Sequence, residues 1–92
     1  MNQATIYGEV THINDRVDMR ALEVRTPLED GESASVPVVA WLVDVPSANH
    51  VNQGDYVTIE GHIRRRFTRG AALMSRTELV AKSVCIYPKE NS

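Results

Sequence analysis

Apolar and polar residues alternate along most of this chain with a period of two, and no long stretch repeats its apolar residues every 3.6 positions. Such alternation is typical of β-strands that cover one side of a core. It predicts five strands, at residues 4–13, 17–26, 36–43, 55–67 and 73–87. Within 17–26 the alternation changes phase, which indicates a β-bulge in that strand.

The connections between the predicted strands are short and rich in turn-forming residues. Residues 27–35, PLEDGESAS, contain proline, Asp-Gly and serines, which favour a polar turn or loop. Residues 44–55, DVPSANHVNQGD, are the one place where a helix is expected, and their Pro, Gly and Asn/Asp residues limit it to a turn or two. Pro37 must lie near the start of its strand or on a sheet edge, because it has no backbone N–H to donate.

Five strands, with one short helix or turn between strands 3 and 4, predict an all-β fold, the five-stranded OB-fold barrel. The 92 residues are expected to form a single domain, 1–92, with a core over about 4–87 and a short C-terminal extension without an acidic tail. A chain of this size has a thin stability margin, and oligomerisation is one way to increase it.

Cysteine content and hydropathy bear on location. Cys85 is the only cysteine, so no intrachain disulfide forms, and a lone thiol without a secretory signal fits a reducing, cytoplasmic environment. No stretch approaches the length of a membrane span, so no membrane association is expected.

The formal net charge of −2 hides a strong asymmetry. Residues 1–58 carry nine acids against three arginines, whereas residues 59–92 carry five arginines and two lysines against three glutamates. Four of the eight arginines lie within six residues, Arg64–Arg66 and Arg69, around Phe67. A cationic cluster of this kind predicts contact with a polyanion, and the alternative is a solvated hairpin end or a sheet edge protected by charge.

Four sequence blocks, in order, resemble the bacterial single-stranded DNA-binding protein family. They are TIYGEV, VVAW, GDYVTIEGHIRRRFT and RTELVAKSV, and together they span about residues 4–87. The resemblance implies an OB fold that forms a homodimer or homotetramer and binds single-stranded DNA without sequence preference. The chain lacks the family's Gly/Pro/Gln-rich tail and acidic tip. In this respect it is similar to the tailless primosomal replication protein N type, which implies replication proteins as further partners.

The resemblance also implies which residues contact DNA. Trp41 corresponds to a base-stacking aromatic of the family, although core packing is the alternative for this side chain. Phe67 lies close to a second stacking position, one residue early, and Arg64–Arg66 match the basic end of the strand. Adding surface aromatics and nearby cations, the predicted DNA-binding residues are Trp41, Arg64, Arg65, Arg66, Phe67, Arg69, Arg76, Tyr7 and Lys82.

Several neighbouring residues have two open interpretations. Arg20 and Arg25 would extend the cationic track, but they lie on opposite faces of a regular strand, so one of them should not contribute. Tyr56 and Tyr87 are interpreted as barrel-end or interface residues. Strict alternation places Phe67 on the core side with Val57 and Ile59, so it reaches DNA only if the strand leaves the barrel as a hairpin arm.

Catalysis is not expected. The three histidines lie in three different elements without the spacing of a metal site, and there is no nucleophile elbow or phosphate-binding glycine loop. No cofactor or metal is predicted. Two other functions fit an OB barrel: a protein–protein adaptor of the primosome or of a phage or plasmid replication system, and an RNA-binding domain.

Overall fold

The computed structural model describes residues 2–68 and 74–87, with the side chains of all of these except 66–68, 74 and 75. The described residues form five strands and one short 3-10 helix. The elements are β1 (Ala4–Asp15), β2 (Met19–Pro27), β3 (Ser33–Trp41), η1 (Pro46–His50), β4 (Tyr56–Thr68) and β5 (Met74–Tyr87). The predicted elements are all present, and η1 lies between β3 and β4 as expected.

The strands close into a barrel in the order β1-β2-β3-β5-β4. All neighbouring pairs are antiparallel except β3 and β5, which are parallel and pair only at Val38 with Leu79 and at Val39 with Val80. The alternating apolar residues point into the barrel and form one core: Val10, Leu22, Val24, Val38, Ala40, Val57, Ile59, Leu79 and Ala81. The predicted five-stranded OB-fold barrel is confirmed.

The first β-bulge lies in β1. The prediction of a bulge in the second strand, within residues 17–26, is wrong. Register shifts between Val10 and His12, so Thr11 is the extra residue. Val10 therefore faces the core before the bulge and Ile13 packs against it afterwards. The bulge reorients β1, whose first half pairs with β4 and whose second half pairs with β2.

In β2 the alternation is regular, and Arg20 occupies a core-facing position together with Leu22 and Val24. Arg20 is only 8% exposed. Its Nη1 donates to the carbonyl oxygens of Ala48 at 2.7 Å and Val51 at 2.8 Å, and its Nε donates to Asp15 at 2.6 Å. The guanidinium therefore attaches η1 to the end of the barrel. The expectation that Arg20 extends a cationic track for DNA is wrong, because its donors are used inside the protein.

β3 begins and ends earlier than predicted, at Ser33 and Trp41. Leu28–Glu32 forms a tight connection closed by a hydrogen bond from the Leu28 backbone N–H to the Glu32 carbonyl at 2.8 Å. Pro37 lies in the middle of the strand, opposite Glu23 of β2. The ladder between β3 and β5 begins only at Val38. Pro37 therefore lies on a local edge, where its missing N–H costs no ladder bond.

The β4-β5 pair is much longer than the barrel is tall. β1 pairs with β4 only as far as Gly61, while β4 and β5 continue to pair as far as Thr68 with Met74. Residues 62–68 and 74–78 thus form a two-stranded arm, as the excess of charge near the end of β4 indicated. At its base, Asn2 Oδ1 accepts from the Ile63 backbone N–H at 3.2 Å.

A second bulge lies where the arm meets the barrel. Register shifts between Glu60 and Gly61, which leaves Lys82 of β5 as the extra residue. A Cβ on Gly61 would lie 2.0 Å from the carbonyl oxygen of Val80, so only glycine fits this close approach of the two backbones.

Candidate nucleic-acid interface

A groove of about 410 Å³ runs across the outer face of the second half of β1, β2 and β3, and reaches the base of the arm. Its apolar floor comes from residues on the outer sides of the strands, including Met19, Ala21, Pro37 and Val39. Its polar lining consists of His12, Asn14, Arg16, Glu23, Arg76 and Glu78. The surface thus combines an apolar floor with guanidinium and carboxylate groups at its sides.

A second depression adjoins the groove on the arm side. Val39 lines the groove, and its partner on β5, Val80, lines this depression of about 490 Å³. Lys82 and His62 also line it, and both side chains are exposed. The two depressions together form a path over the barrel from the β1-β2 turn to the bulge in β5.

Trp41 lies on the outer side of β3. Val36, Val38 and Ala40 contribute to the core, so Trp41, like Val39, points away from it. The indole is half-buried and lies opposite Met19, a groove-lining residue of β2. Core packing is therefore not its role, and a partly exposed indole beside an apolar floor is suited to stacking on a flat ring.

The arm carries cations on both of its faces. Arg64 and Arg76 share the face that continues the groove, whereas Arg65, opposite Thr77, is on the other face. Arg64 donates to Glu78 Oε1 from Nη2 at 2.7 Å and from Nε at 3.3 Å. The Glu78 carboxylate is almost fully buried while 41% of the Arg64 side chain is exposed. Glu78 therefore fixes the guanidinium in place and leaves part of it facing solvent.

Arg76 is held in a similar way from a distant strand. Its Nη2 donates to Glu23 Oε1, and the other carboxylate oxygen, Oε2, accepts from Ser35 Oγ at 2.9 Å. This contact joins the arm to the barrel across the groove. Both side chains remain partly exposed, at 59% for Arg76 and 32% for Glu23. A second guanidinium is thereby oriented at the wall of the groove.

Two arginines have no ion-pair partner among the described side chains, Arg16 and Arg65. Arg16 lies in the β1-β2 turn, lines the groove and is exposed. It is not among the residues predicted from the sequence, where Asp15 and Asp18 lie close to it on either side. In the structure Asp15 is bonded to Arg20 instead, so Arg16 is available to an anion.

The remaining predicted residues fall into two groups. The side chains of Arg66 and Phe67, and all of Arg69, lie outside the described residues. The backbone places Phe67 opposite Ser75 in the arm, beyond the barrel. Tyr7 lies on the half of β1 that pairs with β4, beside Tyr56 and Tyr87, and does not line the groove. Its role in DNA binding stays a prediction.

Arg25, the other candidate for the cationic track, also lies outside the groove. Its Nη2 donates to Glu9 Oε1 at 2.5 Å on an exposed part of the surface.

Among the residues that the structure describes, no three His, Cys, Asp or Glu side chains lie together as a metal site would require. No helix in residues 2–68 and 74–87 is long and apolar enough to cross a membrane.

Comparison by sequence finds no matching family model and no matching curated protein. Comparison of structures finds several solved barrels. The dimeric N-terminal domain of PriB from Thermoanaerobacter tencongensis superposes with a TM-score of 0.72 at 16% identity, covering 96% of this chain and 98% of that one. A mitochondrial single-stranded DNA-binding protein from S. cerevisiae gives 0.76 at 14% identity, covering 98% of both chains.

A third similar structure is the Stn1-ten1 complex of S. pombe, with a TM-score of 0.68 at 20% identity. The match covers 97% of this chain and 60% of that one. At these identities the likeness is one of fold. What this chain shares with the three is the closed OB-fold barrel.

Proposed function

We propose that this protein binds single-stranded DNA without sequence preference, as a homodimer or homotetramer acting in replication, recombination or repair. The observation that carries the proposal is Trp41, a half-buried indole turned away from the core beside a groove bordered by arginines. Binding a strand regardless of its sequence requires aromatic faces for the bases and cations for the phosphates. This surface supplies both.

The proposed mechanism is passive. The strand lies along the groove and the second depression, with a base on Trp41 and phosphates near Arg16, Arg64, Arg76 and Lys82. Guanidinium groups already oriented by Glu23 and Glu78 lose less side-chain entropy when a phosphate binds. An extended strand held in this way cannot re-anneal. Two proteins that share the fold support the proposal: the yeast mitochondrial protein is a single-stranded DNA-binding protein, and the PriB domain is dimeric.

One observation favours a second function, a protein–protein adaptor. Two carboxylates, Glu23 and Glu78, lie in the groove itself, and each is matched by an arginine. A surface with this balance of charge would also suit a peptide or protein partner. The choice between DNA binding and a protein adaptor therefore depends on the cations along the path that no described carboxylate neutralises, Arg16 and Lys82.

Single replacement of those cations tests the proposal. Arg16→Ala and Lys82→Ala should each weaken binding of a fluorescein-labelled oligo-dT, because each removes a cation that lines the proposed path of the strand and forms no ion pair with a described side chain. Each should also reduce the slope of log Kobs against log salt by about 1 or less. Fluorescence anisotropy at several salt concentrations measures both quantities.

Arg25→Ala is the matched control, since it removes the same charge outside the groove and should leave the slope unchanged. Replacing Arg64 is less informative, because it leaves the buried Glu78 carboxylate without its partner and so affects folding as well. Unchanged DNA binding by both variants, with loss of a partner protein, would favour the adaptor. Competition by an RNA oligomer of equal length separates the RNA-binding alternative.

A further inference from the structure

A carboxylate lies in the middle of the groove along which the strand is proposed to bind. Glu23 is on the outer side of β2, where the register places it opposite His12 of β1 on one side and Pro37 of β3 on the other. All three residues line the groove. A phosphate backbone that follows the groove therefore passes an anion near its centre, and like charges repel each other. Glu23 thus opposes the binding of a polyanion on the surface proposed to bind one.

The second carboxylate of the groove, Glu78, has a different environment. Its side chain is almost fully buried beside Arg64, and the exposed part of that guanidinium is what a phosphate would meet. The Glu23 side chain is 32% exposed and that of its partner Arg76 is 59% exposed. A phosphate that approaches Arg76 therefore also approaches the Glu23 carboxylate. Of the two carboxylates, Glu23 is the one that a bound strand would have to face.

Both oxygens of the Glu23 carboxylate accept hydrogen bonds. Oε1 accepts from Nη2 of Arg76, and Oε2 accepts from Oγ of Ser35 at 2.9 Å. Ser35 belongs to the neighbouring strand β3, so the carboxylate is held against the sheet by a bond that does not involve the arm. Arg76 comes from the arm and is the more exposed of the two partners. The guanidinium is thus the group that can turn toward another anion while the carboxylate stays in place.

We propose that Glu23 is a positioning residue that limits the affinity of the groove for DNA, because its carboxylate and an incoming phosphate compete for Arg76. The proposal rests on the proposed function and deepens it, since it names a residue that regulates the same site. An exposed ion pair changes an equilibrium by no more than about 5-fold. The competition is therefore weak enough for a phosphate to displace the carboxylate and strong enough to be measured.

The chain contains a matched ion pair outside the groove. Glu9 of β1 and Arg25 of β2 form it, and their side chains are 28% and 55% exposed, close to the values for Glu23 and Arg76. The two pairs differ mainly in where they lie. Glu9→Gln and Glu23→Gln each raise the net charge by one unit, so a comparison of the two variants removes the general effect of net charge on attraction to a polyanion.

The test measures binding of labelled oligo-dT to the wild type, Glu23→Gln and Glu9→Gln by anisotropy at several salt concentrations. Glutamine keeps an oxygen that accepts from Arg76, so it preserves the orientation of the guanidinium and removes only the charge. Glu23→Gln should bind about 3- to 5-fold more tightly than the wild type at low salt. Its log–log salt slope should steepen by up to about 0.7, the value for one further phosphate contact. Glu9→Gln should stay close to the wild type in both quantities.

A double-mutant cycle shows whether Glu23 acts through Arg76. Arg76→Gln should cost about 3- to 5-fold more affinity in the Glu23→Gln background than in the wild type, because only there is the guanidinium fully available to phosphate. If the ion pair only holds the arm against the barrel, Glu23→Gln should weaken DNA binding or leave it unchanged. Either of those results, or equal costs of Arg76→Gln in the two backgrounds, would overturn the proposal. Circular dichroism checks that each variant is folded.

Inorganic polyphosphate, a polyanion without bases, separates this proposal from the proposed function. Competition between anions does not require stacking, so Glu23→Gln should also bind polyphosphate more tightly than the wild type in isothermal titration calorimetry. If no variant binds oligo-dT while polyphosphate shows this order, the proposed function fails and the role of Glu23 stands. If the wild type binds oligo-dT and Glu23→Gln binds neither polyanion more tightly, the role of Glu23 fails and the proposed function stands. Absence of binding to both polyanions by every variant overturns both.

Discussion

Arg20→Ala should destabilise the protein more than removal of any exposed arginine. The substitution removes a charged donor from the carbonyl oxygens of Ala48 and Val51 at the end of the barrel. Hydrogen bonds from charged groups contribute about 1.5–3 kcal/mol each, so the expected loss in the free energy of unfolding is about 3 kcal/mol. The Ala48 oxygen keeps the Val51 backbone N–H as a donor, which is why the loss is not larger.

Arg25→Ala is the matched control from the same strand. Arg25 also contacts a carboxylate, but 55% of its side chain is exposed, so solvent replaces the lost contact. Its removal should lower the free energy of unfolding by less than about 1 kcal/mol. Urea unfolding of both variants and the wild type measures the difference. Similar losses for Arg20→Ala and Arg25→Ala would show that the buried guanidinium does not hold η1 to the barrel.

Trp41→Ala, beside the groove, should produce the largest loss of DNA affinity of any single substitution on this surface. Stacking of a base on an aromatic side chain contributes about 1–3 kcal/mol, which corresponds to a Kd about 5- to 150-fold higher. The fold should be little affected, because Trp41 points away from the core and is absent from it. Anisotropy of a labelled oligo-dT measures the affinity without relying on the indole.

Trp41→Phe provides the control for this prediction. A phenyl ring keeps a flat face for stacking, so this variant should recover most of the affinity that alanine loses. The salt dependence of binding should be similar in both variants, since neither substitution removes a cation. Equal affinities for the wild type and Trp41→Ala would mean that the indole does not contact a base.

The fold could be predicted largely from alternation, and the misplaced bulge has an identifiable cause. In β2 the core-facing series is Arg20, Leu22 and Val24. Met19 and Ala21 are apolar but line the groove on the outer side, so together with Leu22 and Val24 they imitate a change of phase within the strand. The real bulge at Thr11 has its own signal in the sequence, because Val10 and Ile13 are three residues apart and both contribute to the barrel interior.

The candidate site was less predictable, because it depends on contacts between distant strands. Trp41 could be selected from its sequence block, and its outward position agrees with the stacking role proposed for it. That Arg76 would meet Glu23, or that Arg64 would meet a buried Glu78, depends on how β2 and the arm come together in space. Arg16 was not among the predicted residues, and its place beside the groove likewise depends on how the β1-β2 turn and the strands come together.

The most direct test of the central claim is a titration of the wild-type protein with unlabelled oligo-dT while following intrinsic fluorescence. Trp41 is the only tryptophan, so tryptophan emission reports on this one position beside the groove. We predict saturable quenching at low salt, with an affinity that falls steeply as salt is raised, by a log–log slope of about −0.7 for each phosphate contacted. Unchanged tryptophan emission, together with no shift of the oligonucleotide in a gel at low salt, would contradict the proposal that this groove binds single-stranded DNA.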